Sequence, residues 1–464
     1  MVSNFIYYLG AFALALGLLI SVHEFGHFLV ARLCGIKVLR FSLGFGKTLL
    51  SRQFGSDRTE WAIAVFPLGG YVKMLDEREG PVEPHELSRA FNRQTVWKRI
   101  LVVVAGPLAN LLLAVLLYWV LFMQGVDELR PILATAPANT VAAAAEIQDG
   151  ETVRNINGKA IVSWQELRWE LLQAAVNRAT VTLETINRHQ EISFRKIDTS
   201  RLEASDLESD LAAKLGLLLY RPAFKPVIGM VTPGSVAERA GLRAGDEFVA
   251  IDNRPVKSWA DVTTTIRQSP GQSLNLRVKR NKLVNASGSF GIVEIRLTPA
   301  EIEEGGRKIG RIGIAVRDDP ATRAELVINI RYTGLPAFGK AVTQTWDTSI
   351  FSLKMIGRML TGNISWKNLS GPVTIADYAG QSAQLGLSYY LKFLALISIS
   401  LGVLNLLPIP ILDGGHLLYY IVEIIKGSPL SEKTMEIGQQ IGLFLLVMLM
   451  VFAFYNDINR LVSG

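Results

Sequence analysis

Four stretches of this chain run without a charged side chain for long enough to cross a bilayer, and they limit the possible folds more than any other feature. No Lys, Arg, Asp or Glu occurs from Met1 to His23 or from Ile100 to Val126; Lys392 and Asp413 bracket a third stretch, Glu436 and Asp457 a fourth. A spanning helix needs about 20 apolar residues. The sequence between the second and third stretches has ordinary polarity. A polytopic α-helical membrane protein with four transmembrane helices and a large soluble insert is therefore expected. The 49% apolar content is an average over these two kinds of sequence. The first stretch looks superficially like a secretory leader. It lacks a basic start and a convincing cleavage site, and it runs on into His23 and Glu24, so it reads as a retained helix.

Loop charge sets the orientation. Residues 35–99 carry eleven basic side chains: Lys37, Arg40, Lys47, Arg52, Arg58, Lys73, Arg78, Arg89, Arg93, Lys98 and Arg99. The positive-inside rule places this connection in the cytoplasm, with both termini and the large insert outside. The net charge of +7 is thus a matter of topology. No basic stripe with interleaved aromatics points to nucleic acid. The single cysteine, Cys34, means that the insert depends on no disulfide.

The insert contains a repeat. Pro137…Gly150-Glu151…Ile156-Asn157-Gly158…Ser163-Trp164 aligns, with one residue skipped, on Pro233…Gly245-Asp246…Ile251-Asp252-Asn253…Ser258-Trp259, a period of about 95 residues. Each copy reads as a short helix, a Gly turn, a strand and a polar turn. Further on, Trp346, Ile350, Leu353 and Leu360 recur at helical spacing within 338–361. They predict an amphipathic helix on the membrane, against the bundle or on the insert. In the first cytoplasmic connection, Thr48–Phe54 and Thr59–Phe66 predict a hairpin around Gly55-Ser56-Asp57, followed by Phe66–Lys73 with its Gly69-Gly70 pair.

The chemistry begins at His23-Glu24-Phe25-Gly26-His27. Two histidines four apart share a helical face and can reach one metal ion, with the adjacent carboxylate free to act on water. Ionisable side chains inside a span cost at least ~2.5–3.5 kcal/mol each and are functional by default. A catalytic zinc site needs a third protein ligand. Asp413, at the end of Asn405-Leu-Leu-Pro408-Ile-Pro410-Ile-Leu-Asp413-Gly414-Gly415, and His416, one turn beyond, both remain open on spacing. Broken backbone at membrane depth is tolerated only where it is buried in protein or lines a cavity.

His23-Glu24-x-x-His27, Gly106-Pro107-Leu-Ala-Asn110 and the Asn405–Asp413 run together resemble the site-2 protease family, over essentially the whole chain. The resemblance implies an intramembrane zinc metalloprotease with zinc on His23, His27 and Asp413, Glu24 as general base and His416 as a neighbour. It also implies that Asn405, Pro408 and Pro410 help hold the substrate chain, and that the region of Gly69 and Gly70 is a membrane-associated sheet contacting substrate. The second repeat, with Ser235-x-Ala-x-x-Ala-Gly-Leu-x-x-Gly-Asp246, resembles a PDZ domain, and the first a degenerate copy. In such a domain Ile228, Gly229 and Met230 would form the loop that holds a peptide carboxylate.

The expected organisation is a first transmembrane helix (1–33), a cytoplasmic-side membrane-associated β-hairpin region (34–99) and a second helix (100–125). Two α+β PDZ domains (126–222 and 223–318) follow, then an amphipathic membrane-surface region (319–388), a third transmembrane segment (389–425) and a fourth helix (434–459). Family resemblance further implies a monomer in the inner membrane of a Gram-negative bacterium, acting in a stress response. Its termini and PDZ domains would be periplasmic, and its active site would lie toward the cytoplasm. The implied substrates are single-pass membrane proteins: an anti-sigma factor already cut on its outer side, and remnant signal peptides. The PDZ pair would gate access. A catalytically silent PDZ scaffold or a metal transporter are the rival readings. Both leave part of the His23, Glu24, His27 and Asp413 set, or the PDZ pair, without a role.

Overall fold

The computed structural model of the chain describes residues 2–200, 202, 210–222, 224–281, 290–304, 307–317, 324–362 and 371–463. These fall into two compact units, one holding Met1–Asp127 and Asn329–Ser463, the other Glu128–Arg201 and Asp210–Ile328.

The first unit is built on α1 (Val2–Leu33), α2 (Val96–Gln124), α3 (Leu335–Leu360), α4 (Pro372–Leu385), α5 (Leu387–Asn405), α6 (Asp413–Lys426) and α7 (Glu432–Ser463). Four stretches among these, Ile6–Leu33, Val96–Gln124, Leu387–Asn405 and Glu432–Asn459, are long and apolar enough to cross a membrane. Small residues let the helices approach. Ala114, Ala341 and Ala395 are fully buried, and with Tyr118, Leu121, Ile399 and Val403 they join α2, α3 and α5. Ala15, Ala379, Tyr390, Phe393 and Leu394 do the same for α1, α4 and α5. Many larger apolar side chains, Leu14, Leu112, Phe444 and Val451 among them, face outward, which suits helices solvated by lipid.

The segment at 389–425 is broken at its prolines, as expected, into two helices, α5 and α6, because Pro408 and Pro410 cannot continue a helical ladder. One expectation changes in detail. The helix expected at 338–361 is α3, packed on α2 and α5. It buries Ala337, Ala341, Thr345 and Thr348, while Trp346, Leu353 and Leu360 stay exposed. The small face turns inward because it permits the closer helix approach.

The hairpin of the first connection is longer than its sequence suggests: β1 spans Val38–Phe54 and β2 Thr59–Met74. Both strands bend, so Arg40–Leu43 lies between Glu60–Ile63 on one side and Gly70–Lys73 on the other, while Ser51–Phe54 continues the sheet beyond Thr59–Ala62. Among the described residues nothing pairs with the outer side of Gly70–Lys73. At the far turn Asp57 accepts a hydrogen bond from Arg89 at 2.7 Å, with Arg32 at 3.9 Å. The Arg89 guanidinium holds the Asp57 carboxyl below its usual range.

The second unit contains the repeat as two four-stranded sheets. In the first copy the order is Lys159–Ala160, Thr152–Ile156, Thr180–Ile186, Ile192–Asp198; in the second it is Arg254–Pro255, Glu247–Ile251, Leu274–Asn281, Phe290–Leu297. Each tight turn has positive φ at both corners, Asn157 and Gly158 in one copy, Asp252 and Asn253 in the other. Each following helix is capped by serine: Ser163 accepts from the Glu166 N–H, Ser258 from the Asp261 N–H. The acid after the turn glycine is buried and ion-paired in both copies, Glu151 with Arg195 at 2.7 Å and Asp246 with Arg280 at 2.6 Å. Ile228–Val231, expected as a carboxylate-holding loop, is instead a strand paired with Ile314–Val316. Ile228 is buried in the core, and Gly229 lets the partner backbone come close, since a Cβ there would collide with the Val316 carbonyl and Arg317.

Candidate metal centre

The His23 and His27 rings sit on one face of α1, edge to face with centroids 4.8 Å apart. The break after α5 delivers the third group. The chain leaves Asn405, turns through Leu406–Leu412 and begins α6 at Asp413. Within that turn Ile411 has φ 123°, a conformation β-branched residues rarely adopt. Gly414 and Gly415 allow the folded-back chain to pass: a Cβ on either would collide with carbonyl groups of Leu406, Leu407 or Ile409.

Three ligand-type atoms therefore converge. His23 Nε2 lies 3.1 Å from Asp413 Oδ2, His27 Nε2 lies 3.5 Å from the same oxygen, and the two nitrogens are 3.2 Å apart. Of the two groups left open on sequence, Asp413 is the one in the triangle, while His416 lines the same cavity but stands outside it.

The surroundings hold the triangle in place. His27 Nδ1 donates to the Val102 carbonyl at 2.8 Å, which turns Nε2 toward the other two atoms. Gly106, one turn along α2, leaves room for that ring; any Cβ there would fall on the imidazole. Asn110, fully buried, has its amide nitrogen 3.2 Å from His23 Nδ1. Sequence reasoning attached no role to Val102 or Asn110. A backbone carbonyl leaves no sequence signal, whereas a polar amide inside an apolar span is one.

A cavity of about 1060 Å³ opens beside the triangle, lined among others by His23, Glu24, His27, Gly69, Gly70, Tyr71, Asn405, Asp413 and His416. Gly70 is pressed against Glu24, so the sheet edge and the carboxylate share one wall. Pro408 and Pro410 shape the break without lining the cavity, and Ile228, Gly229 and Met230 belong to the other unit. A second wall carries Arg99, paired to Glu423 at 2.6 and 3.2 Å and stacked on Tyr420.

The triangle fits zinc. Ligands held at 2.0–2.1 Å in a tetrahedron stand about 3.3–3.4 Å apart, and the observed separations are 3.1, 3.2 and 3.5 Å. Two imidazoles and a carboxylate are ligand types that zinc accepts. Among the described residues Asp413 Oδ2 is buried yet accepts no hydrogen bond, as an oxygen reserved for a cation would be.

Comparison with known proteins agrees. The model of peptidase family M50 matches residues 11–449. The chain is 40% identical over 461 residues to the regulator of sigma-E protease RseP of Escherichia coli (strain K12), covering 99% of this chain and 100% of that protein. It is 43% identical over 459 residues to a Neisseria meningitidis protein named "Putative zinc metalloprotease", covering 98% and 99%. The Yersinia pestis protease RseP is 38% identical over 456 residues, with 98% of each chain covered. The chain belongs to peptidase family M50 and is a membrane-embedded zinc metalloprotease of the site-2 type.

Proposed function

We propose that His23, His27 and Asp413 hold the zinc and that Glu24 is the general base for hydrolysis of peptide bonds within transmembrane segments. The observation that carries this reading is the triangle of ligand atoms with Glu24 on the wall of the adjoining cavity. When bound, zinc supplies Lewis acidity, lowering the pKa of water toward neutrality and drawing charge from a scissile carbonyl. Glu24 takes the proton of the attacking water and passes it to the leaving nitrogen.

A helical substrate hides its carbonyls in its own hydrogen bonds and must be unwound before cleavage. The unpaired edge at Gly70–Lys73 offers backbone groups to an extended segment, in strand addition, and brings it past Glu24. Asn405, across the cavity, supplies a side-chain amide to the same segment, and Pro408 and Pro410 keep α5 and α6 apart on either side of it. Exposed Phe45, Leu49, Leu50, Phe54 and Ile63 on the hairpin support its membrane association.

The same reading puts the protein in the inner membrane, with its active site toward the cytoplasm and both termini and the insert in the periplasm. The two copies in the insert are PDZ-like modules that exclude substrates with bulky outer domains, so that substrates are single-pass proteins already truncated outside. The relatives named for sigma-E regulation support an anti-sigma factor as one of them, and remnant signal peptides fit the same requirement. Deleting residues 127–318 then permits cleavage of an untruncated substrate; continued resistance sinks the gating. The catalytic reading is tested by stripping metal from the purified protein and restoring zinc. Cleavage of a single-pass reporter should vanish and return, and cleavage indifferent to metal contradicts it.

A further inference from the structure

The two histidines of the triangle differ in what lies behind them. Each turns Nε2 toward Asp413, so a neutral ring that gives this nitrogen to a metal carries its proton on Nδ1. His27 has an obvious acceptor for that proton, the Val102 carbonyl at 2.8 Å. Among the described residues His23 Nδ1 meets only the Asn110 amide, placed with its nitrogen at 3.2 Å. In that placement a protonated Nδ1 would face two amide hydrogens, while Asn110 Oδ1, fully buried, has no partner among the described residues. Oxygen and nitrogen of an amide have the same shape, and the hydrogen-bond network decides which is which.

We propose that Asn110 is the positioning residue for His23: its Oδ1, turned to Nδ1, accepts the ring proton and fixes the tautomer and orientation in which Nε2 binds zinc. The half-turn replaces a donor-against-donor contact with a hydrogen bond and gives the buried oxygen its partner, with the nitrogen taking the position the oxygen leaves. Asn110 is itself held. Its backbone carbonyl accepts from Ser398 Oγ on α5 at 2.7 Å, so the amide is presented from a fixed point on α2. His27 relies on main chain and His23 on a side chain, so a substitution can remove the hydrogen-bond partner of His23 but not that of His27. The inference rests on the zinc reading of His23, His27 and Asp413, and the experiment separates the two.

The test is zinc affinity, measured by chelator competition on the full-length protein in detergent for Asn110→Leu, Asn110→Asp and His23→Ala. Asn110→Leu keeps the branched heavy-atom shape and loses the acceptor; zinc binding should weaken about 10- to 100-fold. Asn110→Asp can only accept, so it should hold zinc at least as tightly as the parent. If Asn110→Leu binds zinc within twofold of the parent, or Asn110→Asp weakens it tenfold, the assignment is overturned. Should Asn110→Leu not fold, the Asp variant decides alone, because a donor role for Asn110 predicts zinc loss there. His23→Ala binding zinc as the parent does would overturn the zinc site itself, and Asn110's role with it; loss in His23→Ala with none in Asn110→Leu removes only the present inference.

Discussion

His23 Nε2 lies 3.1 Å from Asp413 Oδ2, although the two residues come from opposite ends of the chain and from different helices. One contact thus ties α1 to the start of α6, and zinc held as proposed would bridge them and bear on the stability of the first unit. Metal binds the assembled triangle and not the unfolded chain, so at a thousandfold excess over its dissociation constant it adds about 4 kcal/mol. Stripping zinc should lower the melting temperature by several degrees, reversibly; an unchanged melt after verified metal removal contradicts the bridge.

Gly106 is required by the approach of α2 to His27. Adding a methyl group in Gly106→Ala places it on the imidazole, and relieving such overpacking costs about 1–3 kcal/mol. Because the ring must move, zinc affinity should fall by roughly ten- to a hundredfold while the helical circular dichroism of the folded protein stays the same. Wild-type affinity in the variant would show that α2 does not set the ring.

Gly70 separates catalysis from metal binding. A Cβ there would stand 2.7 Å from Glu24 Cγ and 2.9 Å from the Ser42 carbonyl, so Gly70→Ala displaces the proposed base and leaves the three ligands untouched. Cleavage should drop at least tenfold with one zinc still bound. Loss of zinc in parallel would mean that the sheet supports the metal and not the base.

The spans and the His-Glu-x-x-His face were legible in the sequence because absence of charge and a four-residue spacing are local signals. Other features depend on tertiary packing. The choice between Asp413 and His416 turned on how Leu406–Leu412 folds back, which spacing does not encode. The double pairing of Arg40–Leu43 was hidden because a simple hairpin reading assigns each strand one partner. Ile228–Val231 reads as a loop in isolation, and only its pairing with Ile314–Val316, distant in the sequence, makes it a strand. Asn110 stood in plain view as a polar residue in an apolar span, but its partner on α1 could be found only by placing the helices.

Asp57 gives the hairpin a pH dependence. Arg89 lowers its pKa in the folded state, so the stabilisation is complete above the unfolded value of about 3.9 and is lost as pH falls through the folded value. Arg89→Leu should therefore melt earlier than the parent at pH 7, with the gap closing as the pH drops below about 4. A gap that does not narrow at all as the pH is lowered would assign the effect to packing.

The central claim, that Glu24 moves the proton while the triangle holds the metal, is tested most directly with Glu24→Gln. Zinc content and cleavage of a single-pass reporter are measured on the same purified sample. The account predicts one zinc per chain and cleavage reduced by at least a hundredfold. Cleavage equal to that of the parent, with zinc bound, would contradict it.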